Sequence, residues 1–250
     1  MTSSDLQARL DAYYLRALAD AKTGFEPHFD VLSAPFLLSV SDDYLDAAVR
    51  IMFIGKETNG WYGKLGAYYQ SEDSLEKIKL RYADQFKRGT SGSPFLRRTK
   101  AVAGELAGGK RTAICWNNLM KMDWDQGKSG SRNSLKHSKE LFDFSVATVR
   151  FEIEVLKPDL IILGCGSSYD SAVHAILPNR VTQYKVPRRL WHFQSNGIEC
   201  FRTYHPGARQ TPATGPIEVY YDDIVGRAKA RFAKQLAQGN LQDYLPARAA

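Results

Sequence analysis

Residues 49–61 read VRIMFIGKETNGW, and the break inside that stretch decides the fold. Val49–Ile54 is an apolar run of strand length, and Gly55–Trp61 is a polar turn built from Gly, Asn, Thr and charged residues. The same pattern recurs three times. Thr112–Trp116 leads into NNLMKMD (Asn117–Asp123), Leu160–Leu163 into GCGSS (Gly164–Ser168), and Ile198–Thr203 into YHPGAR (Tyr204–Arg209). Runs this short and continuously apolar read as strands covered on both faces, the habit of parallel sheets. Helical patterns separate them: Asp5–Ala21 before the first run, Ser74–Phe86 and Phe95–Leu106 before the second, and Lys139–Leu156 before the third. That last helix stops at Lys157-Pro158. Tyr169–Ile176 follows the third strand, and Pro216–Leu236 closes the chain's pattern.

The expected fold class is therefore α/β, a three-layer α/β/α sandwich with a short, mainly parallel central sheet. One domain over 1–250 is expected, with a motif-bearing core at about 48–210 and terminal helices packed on it. Ligands of such sheets bind beyond the carboxyl ends of the strands. A carboxylate, amides and a histidine should therefore converge on one rim.

Composition narrows the class. With 250 residues, 44% of them hydrophobic and 24% charged, disorder is excluded as the dominant state. The net charge of +7 is unevenly spread: residues 81–150 carry 14 basic against 6 acidic side chains, whereas residues 1–80 carry 8 against 12. A polyanionic partner is compatible with that surplus. Cys115, Cys165 and Cys200 are far apart and form no CxxC pair, so reduced thiols, a cytoplasmic location and no metal or cofactor are expected. MTSSDLQARL lacks the basic leader and apolar run of an export signal, and no stretch is long enough for a membrane span. No obligate protein partner is evident, and a monomer is expected. GxGxxG and GxxxxGKS loops are absent; GCGSSYD has the wrong spacing for a nucleotide loop.

Five segments, in order, resemble the uracil-DNA glycosylase superfamily, from about Arg50 to Gln210. IMFIGKETNGW resembles the family's first motif, GSPFLRR (Gly92–Arg98) its G-x-P-F-x-x-R segment, and WNNLMK (Trp116–Lys121) its strand-end Asn segment. KPDLIILG resembles the Pro-Asp-strand segment, and RTYHPGA (Arg202–Ala208) resembles the second motif. The resemblance implies an enzyme that extrudes a base from DNA and hydrolyses its bond to the sugar. It implies Glu57 as the carboxylate beneath the developing sugar cation and His205 as the donor to the departing base, with Asn118 reading the base edge and Phe95 stacking on it. Lys56, Lys121 and Arg209 lie near enough in sequence to neutralise phosphates, and Lys128, Arg132 and Lys136 form a basic stretch suited to the same task.

Two departures bear on the chemistry. Thr58 stands where the family has Pro, which loosens the turn carrying Glu57. Asn59 stands where the uracil-specific branch has a bulky Tyr against the 5-position of the base, so Asn59 is read as base-binding and the pocket as enlarged. The expected function is a monofunctional DNA glycosylase acting on a 5-substituted pyrimidine, in antiviral defence against modified phage DNA. A uracil-DNA glycosylase of repair, a superfamily member that binds nucleic acid without chemistry, and an unrelated nucleotide- or sugar-phosphate-binding α/β protein are the alternatives. Single residues keep plainer readings as well. Phe95 also suits a core position, only one of Asn117 and Asn118 is expected in a site, and His205 also suits a strand-end cap before Pro206. Trp61, Tyr62, Tyr68 and Tyr69 either line a pocket or pack an inserted helix.

Overall fold

The structure, a computed structural model, describes residues 1–89, 92–125 and 134–242. In chain order the elements are α1 (Ser3–Phe25), α2 (Asp42–Asp46), β1 (Ile51–Gly55), α3 (Leu65–Tyr69), α4 (Ser74–Lys87), α5 (Pro94–Leu106) and β2 (Ile114–Asn118). There follow α6 (Lys139–Leu156), β3 (Leu160–Gly164), α7 (Asp170–Ile176), β4 (Arg180–Val186), β5 (Leu190–Ser195), β6 (Ile198–Thr203), α8 (Glu218–Arg231) and α9 (Ala233–Gln242).

The strands form one six-stranded sheet in the order β2-β1-β3-β6-β5-β4. β2, β1, β3 and β6 run parallel, and β5 and β4 complete an antiparallel meander on β6. Along β1 the side chains alternate between two cores. Met52 and Ile54 join α1, α4, α6 and α7 on one face. Ile51 and Phe53 join α5 and α8 on the other. The protein is thus the expected three-layer α/β/α sandwich with a mainly parallel sheet. Burial on both sides is what made β1 and β3 continuous apolar runs.

The chain passes from β1 to β2 through α3–α5, then crosses back through α6 to β3 on the opposite side of β1. β1 is therefore the topological switch point, where a crevice opens at the carboxyl ends. The register places those ends at one level: Gly55 pairs with Asn118, and Gly164 with Thr203. Beyond the last rung the exits stay tied. Leu119 N donates to Gly55 O (3.1 Å), Met120 N to Lys56 O (2.8 Å), and Gly166 N to Thr203 O (2.8 Å).

Helix boundaries follow local chemistry. α6 has the expected bounds because Ser138 caps its start, accepting from Leu141 N at 3.1 Å, and Lys157 leaves it in the left-handed region (φ 46°) before Pro158. α5 begins at Pro94, one residue earlier than expected, with Ser93 as the cap. α1 runs on to Phe25 and starts with a Thr2–Asp5 capping box. The expected closing helix is divided at Phe232, whose buried ring packs in the α5/α8 core. β4 and β5 were not expected. β4 lies at the sheet edge with nearly every residue exposed, so it carries no apolar run. Among the described residues, no helix is long and apolar enough to cross a membrane.

Candidate active site

The turn after β1 carries Lys56, Glu57 and Thr58 on the rim of the sheet. Glu57 is half-buried, and its Oε2 accepts the backbone N–H of Ser134 at 2.9 Å. Tyr169, in the turn after β3, lies close enough to the Glu57 carboxylate to feel its charge. Burial, and then the neighbouring Glu57 charge, push the Tyr169 phenol well above its ordinary value, so it remains a proton donor at neutral pH. The Ser134 amide thus orients Glu57.

The turn is not loosened by Thr58. The Thr58 hydroxyl donates to Asp123 Oδ1, and the same carboxylate accepts from Gly60 N at 3.0 Å and Trp61 N at 3.4 Å. The buried Asp123 collects three donors from the loop and supplies the rigidity that a proline ring would otherwise give. Asn59 is exposed on this loop. The buried aromatic of the segment is Trp61, packed on Phe36 (5.0 Å between centroids) and Trp116 (6.1 Å).

Asn118, at the end of β2, is 3% exposed, and its Nδ2 is enclosed without a hydrogen-bond partner. Gly55 makes room for it. A Cβ there would stand 2.5 Å from Asn118 Oδ1 and 2.9 Å from Phe95 Cε2, so only glycine lets both side chains close over the end of β1. Phe95 is held from the first turn of α5, edge-on to Phe53 at 5.0 Å and stacked on His205 at 5.8 Å with planes 24° apart. It is both a core residue and the platform beneath the rim.

His205 follows β6. Its Nδ1 accepts the Gly207 N–H at 3.1 Å, so in the neutral ring the proton sits on Nε2. Burial, reinforced by the Lys56 ammonium, lowers its pKa to about 4, and the ring is neutral at physiological pH. A neutral Nε2–H is the form suited to stabilising negative charge on a ligand oxygen without first giving up a proton. The loop is anchored from below. Tyr221 OH donates to Tyr204 O at 2.7 Å, and the buried Arg202 guanidinium pairs with Asp170 at 2.9 Å.

Phe95 therefore meets Asn118 over Gly55 and stacks on His205, and Glu57 stands in the turn after β1 on the same rim. Of the cationic residues, Lys56 is half-buried over the Tyr169 ring at 5.6 Å, while Arg209 and Lys136 are exposed. Lys128 and Arg132 lie outside the described residues. The expectation for Lys121 is corrected. Its ammonium is fully buried, 2.7 Å from Glu152 Oε1 and 2.7 Å from Asn117 Oδ1, and cannot meet a phosphate. An isolated buried ammonium is too costly to keep, so the chain supplies a carboxylate equally buried, which Tyr14 OH (2.7 Å) and Asn117 Nδ2 (2.9 Å) also bond. Asn117 Oδ1 in turn accepts Asn118 N at 2.7 Å, so this network braces the backbone of the site residue from the opposite face.

Sequence reasoning missed Tyr169 and Asp123 as partners of the first turn. Tyr169 carried a signal, a tyrosine directly after the GCGSS turn; Asp123 carried none that distinguished it from a loop acid. Arg98, the last residue of GSPFLRR, faces Tyr221 at 4.8 Å and Glu218 at 3.7 Å, tying α5 to α8. The three cysteines are free and buried. Compared with known proteins, the chain matches no family model and no curated protein.

Proposed function

We propose that the protein is a monofunctional DNA base-excision glycosylase of the uracil-DNA glycosylase superfamily. The observation that carries this reading is a phenylalanine that meets an unpartnered asparagine amide over Gly55 and stacks on a neutral histidine donor, with a carboxylate held by a backbone amide on the same rim. Each part has a task in hydrolysing an N-glycosidic bond. Phe95 stacks on the extruded base, and Asn118 bonds its edge. The C1′–N bond breaks with its electron pair leaving on the base, and His205 Nε2–H donates to the carbonyl that gathers the charge. The carboxylate of Glu57 stabilises the oxocarbenium-like sugar and orients the water whose oxygen bonds to C1′ and whose released proton ends on the departed base anion. Lys56, Arg209 and Lys136 neutralise phosphates of a DNA partner.

The proposed substrate is a 5-substituted pyrimidine in phage DNA, the setting antiviral defence and the location the cytoplasm. Asn59 in the branch-defining position supports that substrate over plain uracil. Incubation with oligonucleotides bearing uracil, thymine, cytosine and 5-substituted cytosines, followed by alkaline cleavage and mass spectrometry of the freed base, tests the reading. Release of a 5-substituted base is expected to exceed release of uracil. Uracil cut best, with Asn59→Tyr changing nothing, overturns the substrate; no base released from any oligonucleotide overturns the enzyme.

A further inference from the structure

Among the described residues, the enclosed neutral N–H donors that bond nothing are Trp61 Nε1, Trp116 Nε1 and Asn118 Nδ2. They are not scattered. Trp61 meets Trp116 at 6.1 Å, Trp116 meets Phe95 at 5.6 Å, and Phe95 shares with Asn118 the space over Gly55. The three donors therefore follow one continuous aromatic run that begins at the base platform. A buried polar hydrogen without an acceptor is unfavourable, and native proteins rarely keep one without a use. Three on one run, with His205 stacked on the Phe95 at its start, make a surface rich in donors.

The number of donors constrains the occupant. A plain pyrimidine offers two ring acceptors, its 2-carbonyl and either the 4-carbonyl or N3. His205 and Asn118 suffice for those. The two indoles remain, and they need acceptors that the ring lacks. In a base that still pairs and still joins its sugar, C5 is a position free to carry a substituent into the major groove. Resting on the glycosylase reading above, we infer that Trp61 and Trp116 form an extension of the base pocket that selects pyrimidines whose 5-substituent carries oxygen, each indole donating to that oxygen. This is a specificity site, and it makes the polar atom, not only the bulk, the feature recognised. The aromatic faces accept the carbon of the substituent while the N–H groups read its oxygen.

The test compares substituents of matched size. Base release under single-turnover conditions is measured from oligonucleotides carrying 5-hydroxymethylcytosine and 5-ethylcytosine, with wild type, Trp61→Phe, Trp116→Phe and the double variant. The expected result is a preference of about tenfold or more for the hydroxymethyl base in wild type, because an enclosed donor left unpaired penalises the ethyl analogue. That preference falls towards unity in the double variant, which lacks the donors that distinguish the two bases. A ratio of hydroxymethyl to ethyl release unmoved by both substitutions overturns the inference. Because a ring substitution in a packed cluster can disturb folding, a second measurement uses wild-type protein. The indole Nε1–H resonances, assigned through the Phe variants, are followed by NMR as 5-hydroxymethylcytosine DNA is added. Trp61 and Trp116 signals should move and the other indoles should not; stationary signals overturn the inference. Moving signals without release of any base would keep the pocket and discard the glycosylase reading.

Discussion

Asn117 and Asn118 are neighbours on β2, yet one strand step turns them to opposite faces and opposite roles. Asn117 is fully buried with both ends of its amide engaged, by Glu152 on one side and by Lys121 and the Asn118 backbone on the other. Asn118 is nearly as buried, but its Nδ2 has no partner. Burial with satisfaction makes a brace, whereas burial without it leaves a donor open to a ligand. The same contrast separates Lys121, paired and structural, from Lys56, half-buried at the rim. Replacing residues on the brace side should cost stability; replacing residues on the rim should cost activity and leave stability nearly untouched.

The largest effect falls on the brace. Glu152→Ala leaves the Lys121 ammonium buried without a carboxylate, and should destabilise the fold by about 3–5 kcal/mol, read from the urea midpoint at constant slope. The paired change of Lys121→Met with Glu152→Leu should lose much less than Glu152→Ala. Equal losses would mean that the pair itself, not the orphaned charge, sets the cost.

On the rim, His205→Ala should lower base release by roughly 10²–10³-fold, the scale of losing one preorganised donor. Its pH behaviour sharpens the point. With the folded-state pKa near 4 and the ordinary value 6.5, the unfolded chain takes up the proton first as pH falls. The His205 contribution to stability is therefore complete above about 6.5 and diminishes as pH falls from there towards 4. Activity should run flat through pH 6.5, since the ring is already neutral there. A wild-type step in rate near 6.5 that vanishes in His205→Ala would contradict the assignment.

The smallest effect belongs to the rim and surface cations. Neutralising Lys56, Arg209 and Lys136 together should weaken DNA binding and flatten its salt dependence, with each lost phosphate contact removing roughly 0.9 from the slope of log K against log salt. Lys121→Met, by contrast, should leave that slope unchanged.

The same contrast between faces explains what could be read before the structure. The four parallel strands were legible because both faces of each are covered, and α6 because Ser138 and Lys157-Pro158 mark its ends. β4 was not: Val181 is 60% exposed and Tyr184 41%, so the edge strand wears the composition of a loop. Motif order singled out Glu57, Asn118, Phe95 and His205, and of these the structure brings Phe95 against Asn118 and His205. Lys121 was misread because position in a motif says nothing about the face to which a side chain turns. Thr58 was misread because its stabilising partner, Asp123, lies 65 positions away in sequence.

The most direct measurement compares wild type with Glu57→Gln on one DNA substrate, following single-turnover base release and binding affinity in parallel. The substitution keeps the shape of the side chain and removes the charge that would face the sugar cation. Release should fall by about a hundredfold or more while Kd stays within a few fold. Glu57→Gln releasing base as fast as wild type, or wild type releasing none, would contradict the assignment of this rim as a base-excision site.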